Sequence, residues 1–299
     1  MKIQQASLDQ HNLRRGKRIK LKPHRRFMSD YLYFTSQIPS QPVSRICDVQ
    51  NIVQLRKKSP QRIGWAAIML KAMARLAQSE PELCCAYIKW PWPHLYQHPH
   101  QIGYVAMNRI VDDGNLLIFH RIEQPEQCSL LEIQNAIEQA REQPLEENRL
   151  FRMRDRFSRL PWFFRRMIWW FALNLFARVR TNLTGTVGVT SLAQYDVTSL
   201  HPPSLGNLVV TYGPVQPDGT MRITFVYDHR VHDGVKIATC LQKFETILND
   251  VICEELQSLS EARVPPLEKA IRMPFGQSRR NGQSGTPVLT NRKERQAKQ

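Results

Sequence analysis

Cysteine is scarce, with six residues in 299, at positions 47, 84, 85, 128, 240 and 253. None forms a CxxC pair, and the adjacent Cys84 and Cys85 are awkwardly placed to bridge each other. A disulfide scaffold is excluded, and free thiols in a reducing compartment are expected. No apolar run reaches the ~20 residues that a spanning helix needs. The opening MKIQQASLDQHN lacks the apolar segment of a secretory signal. A soluble cytoplasmic protein is therefore the expectation. No strand–GxGxxG–helix context occurs, so no dinucleotide site is expected. His94, His98 and His100 share a loop rich in Pro and aromatics, but no acid or cysteine completes a metal set there. No metal is expected.

Acids are also in short supply. There are 26 Asp and Glu against 42 Lys and Arg, a formal charge of +16. Such an excess invites a nucleic-acid or anionic-membrane reading, but its distribution argues otherwise. Residues 1–27 hold nine Lys/Arg and one acid, and residues 265–299 hold eight and two. The stretch between, 28–264, is nearly balanced at 25 against 23. Within it, Arg149 to Arg180 carries nine arginines and a single acid, Asp155. The charge therefore belongs to appendages, which counts against a nucleic-acid partner. The expected organisation is a basic arm over 1–27, a folded domain over 28–264 and a disordered basic tail over 265–299.

Hydrophobic patterning supplies the elements of that domain. Helices are expected over Phe27–Phe34, Val49–Lys58 with Asp48 as N-cap, Gly64–Gln78, and Ser129–Arg141 with a Ser129/Glu132 capping box. A long final helix is expected over Asp233–Glu255. Strands are expected over Val43–Asp48, Gln101–Met107, Asn115–His120, Thr184–Ser191, Leu208–Tyr212 and Met221–Tyr227. Turns at Asp112-Asp113-Gly114 and Pro217-Asp218-Gly219 predict two hairpins. Helices mixed with antiparallel hairpins indicate an α+β fold.

The segment with most chemistry is Thr224–Gly234, TFVYDHRVHDG. A β-rich run delivers His229 to its end, and four residues later Asp233-Gly234 opens a helix. Imidazole titrates near pH ~6.5, so a histidine projecting from a fixed strand end is suited to accept a proton at neutral pH. Spacing alone is weak, since HxxxDG recurs by chance.

The wider sequence resembles the catalytic domain of the dihydrolipoyl acyltransferases of 2-oxoacid dehydrogenase complexes, within the chloramphenicol acetyltransferase-like superfamily. DHRVHDG resembles their DHRxxDG signature. VSRICDVQNIVQLRKK at 43–58, KAMARLAQSEPEL at 71–83, HQIGYVAM at 100–107 and GTVGVTSL at 185–192 resemble further family segments in the correct order. The resemblance spans roughly residues 25–255. It implies a mixed sheet flanked by helices, and a homotrimer or a multiple of trimers with active sites between subunits. It implies acyl transfer between a coenzyme A thioester and a thiol or hydroxyl acceptor. His229 matches the general base, and Asp233 matches the aspartate that orients the loop by pairing with Arg25 or Arg26 of the first helix. Thr190 or Ser191 matches the hydroxyl that stabilises the oxyanion, and the choice stays open. The alternative is a catalytically silent trimeric scaffold, or a membrane-associated adaptor, of the same fold.

Two departures from the family stand out. Only the arm 1–27 precedes the catalytic fold, so no lipoyl domain and no covalent lipoyl group are expected. About 144–183 is inserted, rich in Arg, Trp and Phe. It reads as a helical hairpin packed on its own domain or a neighbour, or as a membrane-surface or lid helix over 158–180. A nucleic-acid site is the least favoured reading of this insertion, because a run this apolar would be poorly soluble when exposed.

Overall fold

In a computed structural model of the protein, the apolar alternation of the sequence resolves into one mixed six-stranded sheet in the order β1-β8-β7-β6-β4-β5. The structure describes residues 18–111, 114–145, 147 and 149–261. Most of the expected arm, the Asp112-Asp113 turn and the tail beyond 261 lie outside the described residues. The helix α1 (Pro23–Thr35) begins inside the expected arm. It starts at a proline, whose fixed φ suits the first turn of a helix.

The strands are β1 (Ser40–Asp48), β4 (Ile102–Val111), β5 (Gly114–Glu123), β6 (Val187–Ser191), β7 (Leu208–Val215) and β8 (Thr220–Asp228). β6 runs parallel to both β4 and β7, and the other pairs are antiparallel. A two-stranded sheet of β2 (Cys85–Ile88) and β3 (His94–Gln97) stands apart. No strand signal announced it, because its linker is Trp- and Pro-rich.

One face of the main sheet carries Val105, Val189, Val210, Phe225 and Tyr227 into the core. The core is closed by α3 (Trp65–Ser79), α4 (Leu130–Glu142) and α8 (Gly234–Ile247). α3 is the central helix. Ala67 to Ala74 are buried without interruption, including Lys71, whose ammonium donates to the backbone carbonyls of Glu126 (3.3 Å) and Cys128. Burial lowers the pKa of that ammonium.

Local signals fall where expected, with shifts of a residue or two. The Ser129/Glu132 capping box is present at the start of α4. Asp48 accepts a hydrogen bond from the backbone N–H of Gln50 at 2.9 Å, and α2 spans Gln50–Lys58. The final helix runs beyond Glu255. α8 passes through a π-helical turn at Leu248–Ile252 into α9 (Cys253–Glu261). All six cysteines are free.

The insertion forms three helices rather than a two-helix hairpin: α5 (Arg149–Arg159), α6 (Trp162–Asn174) and α7 (Ala177–Thr184). A strand beginning at Thr184 is thus displaced, since α7 ends there and Gly185, at φ +76°, makes the turn into β6. The insertion docks on α1. Trp169 and Leu173 join Tyr31, Phe34 and Leu205 in a second apolar cluster. Asp30, buried on α1, takes Arg165 Nε on one carboxylate oxygen (2.5 Å) and Arg166 Nε on the other (2.9 Å).

Candidate functional site

β8 carries the motif. Its last residue, Asp228, is 1% exposed and is clamped by Arg230, which donates from Nε to Oδ1 (2.9 Å) and from Nη2 to Oδ2 (2.6 Å). The same Oδ1 accepts the backbone N–H of Arg230, and the Asp228 carbonyl accepts those of Val231 and His232. The guanidinium of Arg230 also lies 4.5 Å from the Tyr87 ring centroid. This fork-to-fork pair winds the strand end into a tight loop. His229 is left on the outside of it. Its backbone N–H donates to the Pro39 carbonyl (3.1 Å), its ring tilts against Tyr227, and its side chain is exposed.

His232 is buried instead, with Nε2 unpartnered among the described residues, and burial lowers its pKa. Asp233 is exposed at the N-cap position of α8 and makes no side-chain cap. Among the described residues neither Arg25 nor Arg26 forms an ion pair with it. Arg26 instead donates to the Leu21 carbonyl. The ionic brace sought for Asp233 lies at Asp228–Arg230, within the motif itself. Both residues were visible in the DHR string, but their pairing depends on the loop's curl.

Thr190 and Ser191 end β6, and the structure distinguishes them. Ser191 Oγ donates to the Tyr212 carbonyl (2.7 Å) and accepts the Ala193 N–H (3.0 Å). Its only proton is committed. The Thr190 hydroxyl makes no hydrogen bond among the described residues. Thr190 lies in register with Thr211 and, one strand further, Thr224.

That register separates the two halves of the expected site. His229 lies five residues past Thr224. At ~3.4 Å per residue this is roughly 17 Å along the strand, before the step across two strands is added. One acyl carbonyl cannot touch both side chains of one chain.

Thr190 borders two cavities. The larger, ≈ 820 Å³, also holds Arg56, Arg62, Arg141, Trp65 and Gln134. Arg56 stacks 4.6 Å from the Trp65 ring centroid and donates to the Ile63 carbonyl. Desolvation first, then the like charge of Arg62, lowers its pKa. Two guanidiniums that disfavour each other in one cavity are suited to an anion such as a phosphate. Sequence reasoning missed this group, because Arg56 and Arg62 lie about 80 positions from Arg141. The other cavity is apolar and lies under the insertion. The described residues hold no cluster of three or more metal-ligating side chains.

No family model and no curated relative matches the sequence. Solved structures do match. A probable dihydrolipoamide acetyltransferase from Listeria monocytogenes is 14% identical, with 84% of this chain and 98% of that chain covered and a TM-score of 0.53. The truncated catalytic core of a 2-oxoacid dehydrogenase multienzyme complex from Thermoplasma acidophilum is 15% identical, with 79% and 99% covered and a TM-score of 0.58. A dihydrolipoamide acetyltransferase from Azotobacter vinelandii is 16% identical, with 79% and 93% covered and a TM-score of 0.57. At these identities the likeness is one of architecture, and this chain has the α+β fold of the dihydrolipoamide acetyltransferase catalytic core, the mixed sheet flanked by helices that its sequence predicts.

Proposed function

We propose that the protein is a coenzyme A-dependent acyltransferase, assembled as a trimer, whose site is completed between chains. The observation that carries this is the split just described. His229 stands exposed at one end of the sheet, while Thr190 presents a free hydroxyl to cavities at the other. A second chain can bring the two ends together. The Azotobacter enzyme supports the assignment, since a serine, a histidine and an asparagine were investigated in its catalytic mechanism. Its histidine and asparagine are four positions apart, as His229 and Asp233 are here.

In the proposed reaction, the imidazole of His229 takes the proton of an acceptor thiol or hydroxyl. The acceptor's sulfur or oxygen attacks the thioester carbonyl, and the Thr190 hydroxyl donates to the resulting oxyanion. Collapse breaks the carbon–sulfur bond, and the departing coenzyme A sulfur takes the proton back from the imidazolium. Arg56, Arg62 and Arg141 would hold the coenzyme A phosphates, with Trp65 beside them. Asp228 and Arg230 position His229 by fixing the loop, and Asp233 ends that loop. The test is thioester exchange, with the purified protein, a panel of acyl-CoAs and a small thiol acceptor. Acyl-thiol product with release of free coenzyme A is expected, and the absence of exchange with every acyl-CoA and acceptor would overturn the assignment.

A peripheral membrane contact through 158–180 belongs to the same proposal. α6 buries Arg165, Trp169, Ala172 and Leu173, yet its other side exposes Trp162, Phe163, Phe164 and Phe171. Arg152, Arg156 and Arg159 on the preceding helix are exposed beside this segment. Exposed aromatics flanked by arginines suit an anionic lipid surface. Among the described residues no helix is long and apolar enough to cross a membrane. Flotation with phosphatidylserine-containing vesicles is expected for the wild type, weakening in high salt. Phe163→Ser/Phe164→Ser should lose it, and equal flotation of the two proteins would remove the membrane contact. The same proposal places the protein in the cytoplasm, peripheral to a membrane.

A further inference from the structure

The apolar cavity beside Thr190 does not stand alone. It measures ≈ 180 Å³ and is walled by Tyr31, Gly188 and Leu205 as well as Thr190. A second cavity, of ≈ 320 Å³, is walled by Phe157, Ile168 and Ala172 of the insertion and by Ile118 of β5. Five residues line both: Phe27, Tyr104, Phe119, Trp169 and Leu183. The shared walls set the two cavities side by side, the first at the free hydroxyl of Thr190 and the second against the added helices. Arg154 lines the second cavity without making it polar. Its guanidinium stacks near the Phe27 and Phe151 rings, and its Nη1 donates to the Leu117 carbonyl.

The geometry points to a long linear acyl chain as the group transferred, held in one channel formed by both cavities, with its thioester carbonyl at Thr190. This rests on the acyltransferase reading, which places the carbonyl at the channel mouth. The occupant follows from the shape and chemistry of the wall. Cavities lined by aromatic and aliphatic side chains reward an apolar ligand, and one that spans both in turn is best unbranched. At about 30 Å³ for a water-sized group, the first cavity accommodates about six groups and the second about ten, and a methylene is of similar size. A chain of roughly fourteen to sixteen carbons would fill both. An acetyl group would leave nearly all of that space empty. The polar, arginine-bearing cavity on the other side of Thr190 would take the coenzyme A portion. The insertion thus becomes a specificity element.

The experiment is a chain-length series of acetyl-, octanoyl-, decanoyl- and tetradecanoyl-CoA, with kcat/KM in the exchange assay and Kd by calorimetry for each. Each buried methylene contributes about fourfold, so kcat/KM for decanoyl-CoA should exceed that for acetyl-CoA by at least about 100-fold. Leu183→Trp fills the shared neck from a half-exposed position and should cut the decanoyl-to-acetyl ratio by at least about tenfold. Ala172→Phe fills the far cavity and should move the optimum to shorter chains. A flat wild-type profile with measurable exchange would overturn the channel and leave the acyltransferase reading intact. If no acyl-CoA is exchanged, that reading falls and Kd decides the channel alone. Decanoyl-CoA binding at least about tenfold tighter than acetyl-CoA, with the gap lost in Leu183→Trp, supports it. Equal Kd values overturn it.

Discussion

His229→Ala and Thr190→Val are each expected to silence thioester exchange, and mixed trimers of the two are expected to regain it. Removing a general base costs about 10²–10⁴-fold, and removing one oxyanion donor about 10²–10³-fold. Neither substitution should disturb folding much. His229 is exposed, and Thr190 gives no hydrogen bond to its own chain among the described residues. An exposed position such as His229 usually changes stability within about 0.5 kcal/mol, and Thr190→Val keeps the shape of a half-buried side chain. The informative result is the mixture. If each site takes His229 from one chain and Thr190 from the next, random trimers of the two variants in equal amounts contain intact sites at about one position in four. About a quarter of wild-type activity should then return. If both residues served within one chain, mixing would restore nothing. Co-expression with two affinity tags, followed by the exchange assay, makes the measurement, and a silent mixture would sink the split site.

Asp30→Ala should destabilise the protein by about 3–5 kcal/mol. Asp30 is 2% exposed and binds two guanidiniums at once. Arg165 is almost as deeply buried, with its Nη1 spent on the Leu160 carbonyl at 2.7 Å. Removing the carboxylate strands a cation in an apolar cluster beside Phe34 and Trp169, where it is neither solvated nor paired. Arg166 suffers less, because it is partly exposed and can rest on Tyr33, whose ring centroid is 3.6 Å away. The loss should be local before it is global. Hydrogen exchange should rise first in α5, α6 and α7, while β6, β7 and β8 stay protected. Thermal melting and residue-resolved exchange together check this. Uniform deprotection, or a melting temperature equal to wild type, would contradict it.

The sequence showed much of this molecule, unevenly. Strands β4 and β5 and helices α4 and α8 were legible because each buries one face and so carries a period, whereas β7, β8 and α3 are buried on both faces and read as continuous apolar runs. The motif around His229 was legible because its residues are consecutive. What escaped depends on residues far apart in the chain. Asp30 and Arg165 are 135 positions apart, and nothing in the arginine-rich stretch reveals which members are neutralised on α1. The expected partner of Asp233 was sought on the first helix, whereas the brace forms two residues from its own acid, between Asp228 and Arg230. Thr190 and Ser191 are indistinguishable as letters. Only the alternation of β6, which aims Ser191 at the Tyr212 carbonyl, separates them. The +16 charge follows the same rule. Its arginines look alike in composition, yet some flank exposed aromatics, some seat a salt bridge, and others line a cavity beside Thr190.

The distance between His229 and Thr190 also makes protein concentration a variable of the chemistry. In the proposed two-chain site a lone chain would hold half the machinery at each end of its sheet, so specific activity should vanish on dilution below the assembly constant and return on concentration, by mass action alone. Anything that gathers chains, a lipid surface included, would then switch the protein on without touching the reacting atoms.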